Sequence, residues 1–258
     1  MTGGTSAAKT GAGETPEAQE REMRKHMGIP TERYSRITNK NQREICLLQG
    51  FPCAWGRCAF CDYIADNSRD EKAMVELNNK VLDLVTGEFG VLEVIDSASC
   101  FELPDQTLDR IAQVIQEKNI QKLFFEAHWI YRNKLQEMRK RMSVPIVFKI
   151  GVETFDHDFR ENVLNKHADF SGPEEVARYF DSPCLMVGIQ GQTKEMIARD
   201  IEYLKKYFKL GTVNVYNNNT TPIRRDEELV QWFMKEYRWL LDDPAVEVLY
   251  EITDFGVG

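Results

Sequence analysis

Apolar residues along this chain alternate between two rhythms. Short, largely apolar runs recur at EICLL (44–48), VLEVID (91–96), KLFFE (122–126), PIVFKIGVE (145–153), CLMVGIQ (184–190), TVNVY (212–216) and VEVLYEI (246–252). Runs of this length without alternation are how strands buried on both faces look. Between them the apolar positions move to helical spacing. Met74, Leu77, Val81 and Leu84 line one face of MVELNNKVLDLV, and Leu108, Ile111 and Ile115 one face of LPDQTLDRIAQVIQE. Further helices are expected at 133–142, near Asp158 to Leu164, at 194–208 and over RRDEELVQWFMKEYRWL. The series makes six βα repeats with a terminal strand to spare, and no linker rich in glycine or proline divides it. That predicts one α/β domain with a parallel sheet. Periodicity does not separate an open sheet from a barrel, but a partial barrel fits the length.

The expected division is an N-terminal arm with a short helix at roughly Pro16 to Met27, together residues 1–41, followed by the sheet-forming domain and a C-terminal extension at 42–258. The first twenty residues are small, polar and glycine-rich, the composition of a flexible arm. REMRKHMG at 21–28 is a small basic patch, read as a solvated helix face. The N-terminus lacks the apolar run of a signal peptide, and no stretch reaches the ~20 apolar residues of a membrane span. The expectation is therefore a cytoplasmic protein whose thiols stay reduced. A formal net charge of -8 disfavours a broad phosphate-tracking surface, so nucleic acid is an unexpected partner.

The chemistry concentrates in FPCAWGRCAFCDYI at 51–64, where Cys53, Cys58 and Cys61 lie within nine positions directly after a strand. Thiolates at that place converge at the C-terminal end of the strand, where α/β proteins put their active groups. Three cysteines can ligate three irons of a four-iron cluster and leave the fourth open to another molecule. A structural zinc site wants four ligands, and the nearest further sulfur is Cys46, inside EICLLQG, where a core role is expected. Cys100 and Cys184, in or beside strands, receive the same core reading.

A three-cysteine loop after the first strand of a βα series, with the aromatic Phe60 immediately before the last cysteine, resembles the radical S-adenosylmethionine superfamily. The usual pattern has three residues between the first two cysteines and this chain has four. The resemblance covers approximately residues 42–220 and implies a partial (β/α)6 TIM-like barrel. It implies a [4Fe-4S] cluster on Cys53, Cys58 and Cys61, with S-adenosyl-L-methionine chelating the open iron. Within the superfamily the likeness is to the radical lyases of bacterial queuine salvage, which return queuine to 7-aminomethyl-7-deazaguanine, the preQ1 base. It implies reductive cleavage of S-adenosylmethionine, hydrogen abstraction from queuine by a 5′-deoxyadenosyl radical, and an external electron donor such as flavodoxin or ferredoxin.

Under that resemblance, Asp96, Ser97 and Ser99 after the second strand are candidates for the methionine ammonium; the alternative is capping of the helix near Pro104. Lys149 can reach a bound carboxylate or snorkel to a rim. Glu153 can bind ribose hydroxyls or pair with Lys149. Gly188 and Gly191 permit close approach of the adenosine, with Gln190 pointing into the barrel. For the substrate, Glu126 is the carboxylate for the base edge. His128, Asn217, Asn219, Glu251 and Asp254 are the other polar candidates, and Trp129 and Tyr216 could stack on the base or simply pack. Two competing readings are a radical enzyme that modifies tRNA or another small molecule, and a non-enzymatic metal-binding interaction protein.

Overall fold

The structure is a computed structural model that describes residues 29–251 and 254–258. The helix expected at Pro16 to Met27 and the basic patch at 21–28 lie outside the described residues. Eight strands form one sheet in sequence order: β1 (Tyr34–Ile37), β2 (Arg43–Leu48), β3 (Val91–Asp96), β4 (Lys122–Glu126), β5 (Ile146–Glu153), β6 (Ser182–Val187), β7 (Gly211–Val215) and β8 (Val246–Leu249). Only β1 runs antiparallel to its neighbour; β2 through β8 pair in parallel. The helices α1 (Glu71–Leu82), α2 (Asp105–Glu117), α3 (Leu135–Arg141), α4 (Pro173–Ala177), α5 (Lys194–Tyr207) and α6 (Glu227–Glu236) each follow one of the strands β2 to β7. This is the expected run of six βα repeats with β8 to spare. β1 was not foreseen, and it brings part of the segment read as an arm into the sheet.

The sheet curls so that its edges approach. Lys40, between β1 and β2, donates to the Val246 carbonyl at 2.5 Å, and Arg43 on β2 reaches Glu247 on β8 at 2.7 Å. Strand parity then sorts the side chains. Cys46 and Leu48, Leu92 and Val94, Leu123 and Phe125, Phe148 and Ile150, Leu185 and Val187 form the main core with the helices. The other parity faces the barrel interior. There Glu93 accepts from Lys149 at 2.6 Å and from Arg43, and Phe255 of the C-terminal segment lies against Arg43 and Lys149, 5.1 and 5.0 Å from ring centre to cation. Burial opposes the charge on Glu93, but Lys149 and Arg43 more than offset it and hold the carboxyl below its usual range. Val257 completes the lower end by packing on Ile45 and Leu47.

Two helical details depart from the pattern. α1 ends at Leu82, so Leu84 is 53% exposed rather than on the buried face, and Val85 takes the core position. The buried face of α1 also contains Asn78, whose amide is satisfied by main-chain groups of Gln49. The expected helix near Asp158 is a single π turn, Phe159–Val163.

Candidate active site

The site begins where β2 ends. Gln49 donates its N–H to Asn78 Oδ1 at 2.8 Å and accepts from Asn78 Nδ2 at 2.8 Å, which fixes the point at which the chain leaves the sheet. The four residues between Cys53 and Cys58 turn at Gly56, whose φ of 57° is left-handed and whose N–H points at Cys53 Sγ, 3.4 Å away. Cys61 N–H donates to the Cys58 carbonyl at 3.3 Å, closing the second turn. The additional residue of this cysteine spacing is thus taken up inside the loop.

Three rim segments hold the loop in place. After β3, Glu102 Oε1 accepts from Ala54 N at 3.1 Å, while Asn67 joins Cys53 N–H at 3.3 Å to the Ser97 hydroxyl at 3.0 Å. After β5, the Leu164 carbonyl accepts from Ala59 N at 2.8 Å, the Asn165 amide donates to the Arg57 carbonyl at 2.7 Å, and His167 stacks on Trp55 with centroids 4.1 Å apart. After β7, Asn219 donates to the Phe60 carbonyl at 2.7 Å, and Thr220 binds Asp62. The loop is suspended across the mouth of the barrel rather than lying on one strand end.

Below the loop, Lys166 Nζ donates to Glu153 Oε1 at 2.6 Å and lies 5.5 Å from the Phe60 ring centre. Glu153 ends β5 with φ 63°, beside a register shift between β5 and β6. A β-carbon at Gly151 would fall 2.5 Å from Glu153 Oε1 and 2.7 Å from Lys166 Nζ, so the missing side chain makes the room for this pair. Burial disfavours the Lys166 cation, but Glu153 more than reverses that and raises its pKa. Burial pushes the Cys58 thiol up to about 12 and raises that of Cys61, with Lys166 working against burial at both. Cluster binding must therefore expel protons from these half-buried thiols, and the Lys166 cation favours their thiolate form.

Carboxylates gather at the same mouth. Asp96 Oδ2 and Glu102 Oε2 are buried with no hydrogen-bond partner among the described residues. Glu102 is otherwise tied down by the Tyr131 hydroxyl at 2.5 Å. Burial raises the pKa of both acids. Glu126, at the end of β4 and facing inward, is also pushed up by burial, while Lys149 and Lys166 pull it back. Unsatisfied acceptors of this kind are costly unless a donor arrives.

The remaining sequence candidates divide. Phe60 packs with Phe159, Leu164, Met186, Ile189 and Tyr216 under the loop. Lys149 is bound to Glu93 inside the barrel, and Glu153 pairs with Lys166 rather than with Lys149. Ser97 binds Asn67, whereas Ser99 Oγ is buried with no hydrogen-bond partner in the described structure. Gln190 is exposed instead of pointing inward. It is Gln192 that is buried, accepting from Gly188 N at 3.0 Å and donating to the Met186 carbonyl at 2.9 Å. Gly188 is required by its φ of 84° and by Val230, which a β-carbon would meet at 2.2 Å. His128 uses both ring nitrogens within the chain, at the Lys166 carbonyl and Ile130 N–H, and burial lowers its pKa to about 4. Asn217 is held by Tyr250 and Arg225, and Asn219 by the cysteine loop and Thr221. Asp254 accepts from Tyr250 N and Glu251 N, and Glu251 is exposed. Trp129 is a core residue against Phe170 and Tyr179. Sequence reasoning missed Lys166, Asn67, Glu102 and Asn78. Glu102 was readable as the acid closing the DSASCFE segment; Lys166 lies in irregular chain that no periodicity marks.

The donor set fits an iron–sulfur cluster with an amino-acid ligand. Three thiols share one loop at the mouth, and free carboxylate oxygens able to receive an ammonium stand beside it. Cys46 cannot complete a zinc site there, because it is fully buried on the helix-facing side of β2. Among the described residues, no three His, Cys, Asp or Glu side chains gather about a point able to hold a single ion.

No protein-family model matches the chain. An uncharacterised protein of Methanocaldococcus jannaschii is 25% identical over 169 residues, which is 59% of this chain and 39% of that protein, so the chain spans less than half the length of this curated relative. Among solved structures, queuine lyase from Clostridium spiroforme bound to S-adenosylmethionine and queuine is 54% identical, with a TM-score of 0.87 over 88% of this chain and 99% of that one. Methylornithine synthase matches at 16% identity and a TM-score of 0.57, covering 91% of this chain and 71% of its own, a likeness of fold.

Proposed function

From the premise that this chain belongs to the queuine lyases of the radical S-adenosylmethionine superfamily, we propose that it cleaves queuine to the preQ1 base, breaking the bond between the cyclopentenediol ring and the amine. The observation that carries this reading at the residue level is the meeting, at one barrel mouth, of the three-thiol loop with two buried carboxylates, each with one oxygen that lacks a partner among the described residues.

In this reading Cys53, Cys58 and Cys61 hold a [4Fe-4S] cluster. When bound, the cluster and S-adenosylmethionine supply a 5′-deoxyadenosyl radical able to abstract hydrogen from the substrate. The chain's own groups do the placing. Asp96 and Glu102, with Ser99, receive the methionine ammonium on oxygens that have no other donor. Phe60, Gly188 and the Glu153–Lys166 pair border the adenosine side, and the apolar cluster of Phe159, Met186, Ile189 and Tyr216 beneath Phe60 keeps water from that side. Glu126 accepts the ring N–H and amino donors of the deazaguanine edge. A bidentate acceptor selects such a base because an unmatched donor in a buried pocket costs about 1–3 kcal/mol. Asn217, Asn219, Glu251 and Asp254 shape the wall around the cyclopentenediol through the loop and tail that they hold.

The substrate is the free base. A net charge of -8 gives little support for tracking a phosphate backbone. The electron comes from an external carrier such as a flavodoxin or ferredoxin. No helix among the described residues is long and apolar enough to cross a membrane, and we place the enzyme in the cytoplasm, where thiols stay reduced.

The test is anaerobic reconstitution with iron and sulfide, followed by S-adenosylmethionine, a reductant and queuine. Queuine-dependent 5′-deoxyadenosine together with the preQ1 base is the expected result. Release of 5′-deoxyadenosine with queuine recovered intact would reject the substrate assignment, and absence of any cluster absorbance would reject the metal assignment.

A further inference from the structure

The cysteine loop has a second, outward side. An open groove of about 670 Å³ is lined by Pro52, Cys53, Trp55, Arg57, Ile64 and Arg69 together with Gly56, Asn67 and Ser68. Neither Glu126, Glu153 nor Lys166 lines it, so it is distinct from the barrel mouth. Cys53 is the one thiol of the three that the groove shares with the cluster site.

We propose that this groove docks the acidic face of a small one-electron carrier protein, and that Arg57 and Arg69 recognise it. The inference rests on the proposed reaction, which needs an electron from outside the chain. In a protein of net charge -8, the groove lining contains two arginines and no acid. Of the acids nearest in sequence three are engaged, and Glu71, exposed in the first turn of α1, stays outside the lining. Asp66 is buried against Arg33, Asp62 is bound by Thr220 and Asn219 on the mouth side, and Asp70 caps α1 through Ala73 N–H. Beside the cations lie apolar contacts. Ile64 is 44% exposed, and Trp55 stacks on His167 with the Arg57 guanidinium 5.5 Å from its ring centre. Apolar side chains beside cations unpaired among the described residues suit a transient partner drawn by opposite charge. Transfer at this point is short because a cluster ligand forms part of the surface. The donor loses one electron, the cluster gains it, and no atom changes hands.

The experiment compares the reconstituted wild type with Arg57→Glu/Arg69→Glu and with Arg178→Glu, a reversal at the exposed residue that follows α4. Iron content and cluster absorbance are checked first. Cluster reduction is then followed by stopped flow, with reduced flavodoxin in one arm and dithionite in the other, and flavodoxin affinity is measured by titration. The double reversal is expected to slow reduction by flavodoxin and weaken its binding on the order of ten-fold at low ionic strength, with the difference shrinking in high salt. Dithionite reduction and the Arg178→Glu protein should match wild type. Unchanged reduction and binding by flavodoxin overturn the proposal. So does loss of the cluster or of dithionite reduction in the double variant, which would make the arginines part of the loop's architecture. Failure of the wild type to cleave queuine with dithionite would instead strike the proposed reaction and leave the flavodoxin binding measurement standing by itself.

Discussion

Lys166 and Glu153 meet at 2.6 Å in a space that exists because residue 151 has no side chain. The pair is buried, so removing the ammonium leaves a carboxylate uncompensated, at a cost of about 3–5 kcal/mol. Lys166→Met should lower the denaturation midpoint strongly. The double variant Lys166→Met/Glu153→Gln should recover much of that stability without recovering affinity for S-adenosylmethionine, measured by titration of the reconstituted protein. Equal recovery of both would make the pair purely structural.

Gly151→Ala tests the same space without altering a charge. Its methyl group would press on Glu153 Oε1 and Lys166 Nζ, and an overpacked site of this kind costs about 1–3 kcal/mol. The expected result is weaker cofactor binding with iron content unchanged, and wild-type affinity would show that the pair can part freely.

Alanine at Cys53, Cys58 or Cys61 should abolish the cluster, read as iron content and visible absorbance, while far-ultraviolet circular dichroism stays native. Cys46→Ala should keep its iron and lose only core stability, because this thiol packs among helix-facing residues. Iron loss in Cys46→Ala would bring that residue back as a ligand.

Glu126→Gln should reduce queuine binding by roughly ten- to hundred-fold, the range of a charge-assisted hydrogen bond at about 1.5–3 kcal/mol. Burial raises the Glu126 pKa, so its acceptor form is lost earlier on acidification than that of an ordinary glutamate. Queuine affinity should therefore fall as pH falls in the wild type and be flatter in the variant. An identical profile in both proteins would remove Glu126 from the base edge.

Asp200 on α5 accepts from Phe155 N–H at 2.8 Å, just after the Glu153 turn, and its other oxygen is buried without a partner among the described residues. Burial raises its pKa from 3.8 to about 7. Between those values the unfolded chain binds fewer protons than the folded one, so stability falls as pH rises. The full change is roughly 4 kcal/mol, present below pH 3.8 and lost by about pH 7. Asp200→Asn keeps the acceptor for Phe155 and removes this titration. Its stability relative to wild type should grow across that window and level off above it, as followed by denaturant unfolding at successive pH values.

The sequence made the strands and helices legible because buried parallel strands carry apolar residues without interruption, and each helix between them repeats its apolar face. β1 was not legible: YSRI is short and half-exposed, and only its pairing with β2 makes it a strand. The cysteine loop could be read from spacing, as could Phe60. Its supports could not. Asn67, Glu102 and Lys166 act through contacts between segments distant in the chain, and nothing local distinguishes Lys166 from an exposed lysine. Lys149 stood out in the sequence as a cation in an apolar strand, but the partner that explains it, Glu93, lies one barrel wall away. Gln190 and Gln192 differ only in which side of a turn they occupy, and sequence could not separate them.

The hydrogen bonds that tie Gly258 to Thr31 and Glu32 join positions up to 227 residues apart. At a synthesis rate of about 5–20 residues per second, those last partners follow the first by on the order of ten to fifty seconds. For most of that interval β1 and β2 can pair and the cysteine loop has been made, while Ile45 and Leu47 still await Val257. The lower end of the barrel therefore closes only after residues 255–258 have been made. Chains stalled before Phe255 should expose an apolar and charged interior to chaperones, with the loop already made.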